Sequence, residues 1–356
     1  MPSLKEIKVR INSISSTLAI TSAMKMVAAA KLQKAQMAIQ NMLPYERRLY
    51  SMLVDLMGAM NISAAASEDG SVRGSGSAER GFDQSGDRLS LSNWHDLAGM
   101  DGAYSLMAQR EVRKVAIVAF ASNSSLCGAF NSNVIREATA VINEYRASGL
   151  GDADITVYSV GRKMAEAMKK LGFPSPADFT KMSDSPSYDA ASALAQELFD
   201  GFVSGRFDKV ELVYNHYKST SSQPTTRQTY LPLSLADATA DIQVGKITDS
   251  ASEPYADKVA EPVVRQNSPT TETPDLIVEP SKVELIATLL PKVVRLRVFT
   301  TLLDSTAAEH AARTVAMQLA TDNGNDLLQE LTLEYNKGRQ QKITSEILDI
   351  VGGSLQ

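Results

Sequence analysis

The chain has 356 residues and a formal net charge of −5, so nothing in its global charge points to nucleic acid. A single cysteine, Cys127, excludes an intramolecular disulfide framework and fits a reducing compartment, and the histidines (His95, His216, His310) are too scattered for a zinc or iron site. No apolar run reaches the ~18–20 residues that would span a bilayer.

The chain enters a helix at once, with no sign of a signal peptide or an Arg-rich transit segment. Stepping by threes and fours from Leu4 through Ile7, Ile11, Ile14 and Leu18 to Leu49, Leu53, Leu56 and Met60 lands on an apolar series. Only Thr21, Lys25 and Glu46 interrupt it, so residues 1–60 read as a coiled-coil helix. A buried lysine is costly, so the pattern predicts that the seam drifts at Lys25 and turns it outward. Pro44 is expected to kink or distort the helix. Ala28-Ala29-Ala30 is most simply strong helix propensity.

Residues 61–111 change character to Gly- and Ser-rich and read as a flexible insertion. Their GSGSAERG run lacks both the spacing and the preceding strand of a phosphate loop. From residue 112 to 235 an α/β pattern takes over. Strands are expected at Lys114–Phe120, Asp154–Tyr158 and Lys209–Tyr214, and helices at Asn131–Arg146, Arg162–Leu171 and Tyr188–Val203. The alternation predicts a Rossmann-like domain with a parallel, doubly wound sheet. Residues 236–280, with Pro254, Pro262, Pro269 and Pro274, read as an irregular excursion.

Residues 281–356 form a second long helix, ~105 Å if unbroken at ~1.5 Å per residue. Leu328, Leu331 and Tyr335, then Ile343, Ile347 and Ile350, recur on one face. A helix of that length needs a partner. Residues 1–48 hold eight basic residues against two acidic, and residues 300–356 hold four against eight, which predicts charge-assisted pairing of the two ends. The fold class is therefore α/β with long helices: an antiparallel coiled coil of the terminal helices bracketing an α/β domain.

Intrinsic catalysis finds little support. The usual dinucleotide, P-loop and nucleophile-elbow motifs are absent from the sequence. Cys127 could be a nucleophile and His216 a base, but a small thiol in a strand-to-helix loop is more often a packing residue. The residues alone leave open a shaft, a tethering scaffold with a head domain, or an α/β enzyme with helical arms.

Two blocks narrow the choice. SLKEIKVRINSISSTLAITSAMKMVAAAKLQKAQ (Ser3 to Gln36) closely resembles the first helix of the gamma subunit of the rotary, F-type ATP synthase, and Glu309 to Ser354 resembles that family's last helix. The family's ending, Ile/Val-Thr-x-Glu-x-x-Asp/Glu-x-x-x-Gly-Ala, is matched at Ile343, Thr344, Glu346, Asp349 and Gly353, with Ser354 in place of alanine. The loop Ser122 to Asn131 resembles the family's Ser-Asp-Arg-Gly-Leu-Cys-Gly-x-x-Asn. Leu126, Cys127, Gly128 and Asn131 match, while Asn123, Ser124 and Ser125 replace its Asp, Arg and Gly. Glu279-Pro280-Ser281 resembles the family's re-entry into the last helix, and Pro291 lies where many members have a helix break.

The resemblance implies a bacterial rotor shaft without catalytic residues, cofactor or metal of its own. Its partners would be three alpha and three beta subunits, the epsilon subunit and the membrane c-ring, on the cytoplasmic face of the inner membrane and without a membrane span. Arg339 and Gln340, with Thr344 one turn on, match the pair that contacts a beta-subunit loop. Met24 and Lys25 match the stretch facing beta's acidic lever segment. For Arg339 and Gln340 the residues alone fit a solvated face equally well. Ile347, Leu348, Ile350 and Val351 would sit in an apolar bearing at the top of the ring, or else be core against the first helix. By analogy with insertions elsewhere in the family, residues 61–109 or 236–280 would act as a brake on hydrolysis.

Overall fold

The computed structural model describes residues 3–58, 110–233, 278–279 and 282–353. The insertion expected over 61–111 and the irregular segment over 236–280 fall almost wholly outside those residues, as does Met60.

Helix α1 (Leu4–Gly58) and helix α6 (Lys282–Gly353) have 55 and 72 residues, about 80 and 110 Å at ~1.5 Å per residue. They run antiparallel over most of their length. Leu4 meets Gly338, Leu18 meets Gly324, the Thr21 and Thr321 hydroxyls lie 3.1 Å apart, and Leu32 and Ala35 pack on Ala307 and Ala311. The residue numbers of the first three pairs have the same sum, so the register does not slip.

Every described position of the three-four series from Leu4 to Leu56 is at least half-buried, Lys25 included. The heptad therefore does not drift at Lys25. An aliphatic stem can lie along the seam and still carry its ammonium to the edge. Glu46 is buried in the seam opposite Arg297, whose Nη1 lies 3.7 Å from Glu46 Oε1 and whose guanidinium stacks over Tyr50. This ion pair runs against the expected polarity, with the cation on α6. Lys5, Lys8, Arg10 and Lys34 are exposed and form no ion pair among the described residues. Apolar register mates the helices, and Lys31 of α1 acts on the Glu309 carboxylate of α6 in the expected sense. Neither Pro44 nor Pro291 ends its helix.

Between the long helices, chain order gives β1 (Val115–Phe120), α2 (Phe130–Ala147), β2 (Ile155–Val160), α3 (Arg162–Lys170), α4 (Thr180–Asp184), α5 (Tyr188–Val203), β3 (Lys209–Asn215) and β4 (Thr225–Leu231). The sheet order is β2-β1-β3-β4. The first three strands are parallel, and β4 is antiparallel to β3, so the sheet is mixed rather than wholly parallel. Sequence reading missed β4 because its Thr-rich, polar residues sit on an edge strand whose first five positions are only half-buried.

Two-residue alternation divides the core. Val115, Ile117 and Ala119 face α2 and α3 with Val134, Ile142, Met164 and Met168. Ala116, Val118 and Phe120 face α5 and the long helices, with Leu198, Phe202, Leu53, Ile286 and Val298. The sheet is thus packed directly on the paired long helices. On the α2 side a buried carboxylate, Glu211, accepts from Tyr145 at 2.6 Å, Arg227 at 2.7 Å and Lys209 at 2.7 Å. Those three donors hold its pKa below the ordinary carboxylate value although burial alone would raise it.

Candidate contact surfaces of the shaft

The free end of α6 is fixed by where α1 begins. Ser3 and Glu6 form a reciprocal cap: Glu6 N–H donates to Ser3 Oγ at 3.3 Å and Ser3 N–H to Glu6 Oε2 at 3.0 Å. Helix α1 therefore starts opposite Gly338, and among the described residues no helix pairs with residues 339–353 of α6. They extend about 22 Å beyond it.

That free segment carries the predicted contact residues. Arg339, Gln340 and Thr344 are all exposed. Thr344 Oγ1 donates back to Gln340 C=O at 2.9 Å, which fixes one rotamer against the helix. Ile343, Ile347, Leu348 and Ile350 are 47, 55, 64 and 72 % exposed. Ile347, Leu348 and Ile350 are therefore not core against α1, which is the competing expectation for them. Val351 lies in the same helix, and its side chain is outside the described residues. At 3.6 residues per turn, Arg339, Ile343, Ile347 and Ile350 share one side, and Gln340, Thr344 and Leu348 the adjoining side. Three of the four exposed apolar side chains thus share one side with Arg339, and the adjoining side is mostly polar.

The second predicted contact is less exposed than expected. Met24 and Lys25 are half-buried along the seam, whereas their neighbours Met26 and Val27 are 64 and 57 % exposed. The outward face of this stretch is carried by Met26 and Val27. Counting heptads through Met24 would have located them, since both fall between seam positions.

The third group, Leu126, Cys127, Gly128 and Asn131, lies in the loop between β1 and α2. Asn131 organises it. Its Oδ1 accepts from Ser122 N–H at 3.0 Å, and its Nδ2 donates to Ser122 Oγ at 2.8 Å and lies 3.1 Å from Cys127 Sγ. Cys127 is 1 % exposed and packs with Phe130 against Ala308 of α6, a packing role. Leu126 holds φ +68° with an exposed side chain, a costly conformation for a branched residue. Gly128, at φ +58°, faces Ala316 of α6 at close range. The replaced residues have contacts of their own. Asn123 Oδ1 accepts from Arg162 N–H at 2.8 Å and its Nδ2 donates to Thr180 C=O at 2.8 Å. Ser124 Oγ accepts from Arg313 at 2.7 Å.

This loop and the end of β3 bound the crevice where strand order reverses, between β1 and β3. Open α/β sheets bind ligands there. Here α6 fills it with Asp304, Ala308, Ala312 and Arg313, which contact His216 and Tyr217, Cys127 and Phe130, and Ser124. Beside it Glu309 accepts from Arg313 at 2.8 Å, and burial raises its carboxyl pKa. His310 is buried with Nδ1 unpartnered; burial, then the nearby Arg313 and Lys31 charges, lowers its pKa to about 4. The ring is thus neutral and packed. Among the described residues no cluster could hold a metal ion, and no helix is long and apolar enough to cross a membrane.

The same architecture recurs among known proteins. A family model described as ATP synthase matches residues 3–355. The chain is 47% identical to the ATP synthase gamma chain of Phocaeicola vulgatus and 45% identical to that of Bacteroides thetaiotaomicron, each over 100% of both chains. In fold it is similar to a chain of the cryo-EM structure of the Euglena gracilis mitochondrial ATP synthase, rotational state 3. That chain has a TM-score of 0.52 and 19% identity, with 98% of this chain and 92% of that chain covered. The full-length relatives, together with the paired terminal helices and the bracketed sheet, decide the assignment: this chain belongs to the ATP synthase gamma-chain family.

Proposed function

We propose that the chain is the turning shaft of an F-type ATP synthase, non-catalytic itself, with its α6 tip seated in a ring of three alpha and three beta subunits. The α/β foot docks on the membrane c-ring with epsilon beside it, on the cytoplasmic face of a bacterial inner membrane. Ion flow turns the c-ring and the shaft turns with it. An asymmetric helix pair inside a threefold ring presents a different face to each beta subunit. Each catalytic site is therefore biased toward a different conformation by a different contact energy. Arg339 supplies fixed guanidinium donors to a beta-subunit carboxylate or carbonyl, and Gln340 and Thr344 present the adjoining polar face. Ile343, Ile347, Leu348 and Ile350 run in an apolar bearing. Met26 and Val27, with the half-buried Met24 and Lys25, meet the ring lower down.

The observation that carries this reading is the length of α6 beyond its partner, with four exposed large apolar side chains on it. A tethering scaffold has no need of an unpaired apolar end. The occupied switch-point crevice weighs against a ligand-binding role for the sheet. The test is ATP hydrolysis by the alpha–beta ring reconstituted with and without this chain, with a label on the foot followed at limiting ATP. Rotation with three main stops per turn is expected. Stable binding without rotation or change in turnover would restore the scaffold reading.

A further inference from the structure

A foot that drives a shaft must resist sliding around it, and apolar packing resists that poorly because it has no preferred direction. Directional bonds are needed where the foot meets both helices at one level. The connection after β3 supplies them. Asp304 of α6 takes two bonds from it: His216 Nδ1 lies 2.6 Å from Oδ2, and Tyr217 N–H donates to Oδ1 at 2.9 Å. The next contact crosses to the other helix, where Gln36 Nε2 of α1 donates to Tyr217 Oη at 2.6 Å. Tyr217 is half-buried against both helices: it packs on the cluster of Leu32 and Ala35 of α1 with Ala307 and Ala311 of α6, and on the cluster of Cys127, Phe130 and Ala308.

We propose that Gln36, His216, Tyr217 and Asp304 form a torque clamp that locks the α/β foot in angle to both shaft helices. The proposal rests on the shaft reading. Within it, the clamp accounts for a polar linkage at a connection that touches α1, α6 and the foot loop together. A short loop bridging both helices converts tangential load into stretching of three short, oriented bonds. Tyr217 is the centre of the device, because it bonds to both helices.

The experiment uses the assembled complex with the ring immobilised and a bead on the foot, on exposed Lys170. With the catalytic sites stalled by a non-hydrolysable nucleotide, the angular spread of the bead reports the twist between foot and ring. Asp304→Ala and the pair Gln36→Leu with Tyr217→Phe are compared with the unaltered complex. The pair matters because it removes both polar partners and leaves the packing, so no orphaned group remains. A merely structural bond would be replaced at no cost by this pair. The clamp predicts that the angular spread at least doubles in both variants while ATP hydrolysis by the assembled complex stays within twofold. An unchanged spread in the paired variant overturns the clamp even if Asp304→Ala fails to assemble. Absence of rotation in the unaltered complex would instead refute the shaft reading itself.

Discussion

Replacing Ile343, Ile347 and Ile350 together with serine separates a bearing from a core. Full burial of an isoleucine is worth about 1.5–3 kcal/mol. These side chains are 47, 55 and 72 % exposed in the isolated chain, so an enclosing ring has roughly half to three-quarters of that left to gain at each. The triple variant should therefore lose about 3–5 kcal/mol of association with the alpha–beta ring, on the order of a hundred- to several-thousand-fold in affinity. The isolated chain has almost nothing to lose, because serine costs a helix only a few tenths of a kcal/mol per residue. Thermal unfolding followed by circular dichroism should move by no more than a few degrees, and titration of the ring with labelled chain should show the weakened binding. A large fall in melting temperature would mean these residues are buried within the chain. Ring affinity within threefold of the parent would mean the tip is not enclosed.

Two seam glycines should respond oppositely to alanine. A Cβ at Gly324 would lie 2.7 Å from Leu18 Cδ2 in the middle of the pair, so Gly324→Ala should lower stability by about 0.5–1 kcal/mol despite its better helix propensity. At Gly338 the neighbour is Leu4 Cδ2 at 3.0 Å, at the start of α1 where it can swing aside, and Gly338→Ala should gain a similar amount in urea melts. Glu46→Ala would leave the Arg297 guanidinium, mostly covered, without its seam carboxylate and should cost about 2 kcal/mol in urea, whereas Glu46→Leu with Arg297→Met should recover most of that. His310, held neutral with a pKa of about 4 against 6.5 when unfolded, should destabilise the chain as pH falls from above 6.5 toward 4, because only the unfolded state binds the proton in that window. After allowance for solvent screening the loss is ~1–2 kcal/mol, and the raised Glu309 pKa offsets part of it at the acid end; His310→Gln should flatten the pH profile of the melting temperature.

The long helices were legible in the sequence because their periodicity is sustained for dozens of residues. The strands of the foot were legible because buried parallel strands are nearly uninterrupted apolar runs. Charge along the long helices is harder to read. The cost of burying a lysine predicts that Lys25 faces outward, yet it is half-buried in register, as a long aliphatic stem permits. Net charge predicts pairing of the two ends; Glu46 with Arg297, just outside the acidic stretch 300–356, has the opposite sense, while Lys31 acting on Glu309 has the expected one. Net charge over a helix says nothing about which residues fall on the seam. The reciprocal cap of Ser3 and Glu6 was also readable. Counting register from it would have shown that Ile343 to Ile350 lie beyond the reach of α1. The half-buried edge strand β4 and the Gln36–Tyr217 contact, 181 residues apart in sequence, were not. They depend on tertiary neighbours that no local pattern encodes.

The crevice and the clamp belong to one physical solution. A parallel sheet exposes the carboxyl ends of its central strands where the order reverses, and a groove left there invites a ligand or water. This chain places a helix in it. Ala308 and Ala312 bring the α6 backbone close to the β1–α2 loop, and Asp304 and Arg313 satisfy the polar groups at its two sides. Closing the groove this way requires a helix that passes the sheet and continues, which a compact domain seldom offers. A shaft does offer one. The same passage that fills the crevice brings Tyr217 against both helices, so the packing that covers the carboxyl end of the sheet also supplies the polar contacts of the proposed clamp.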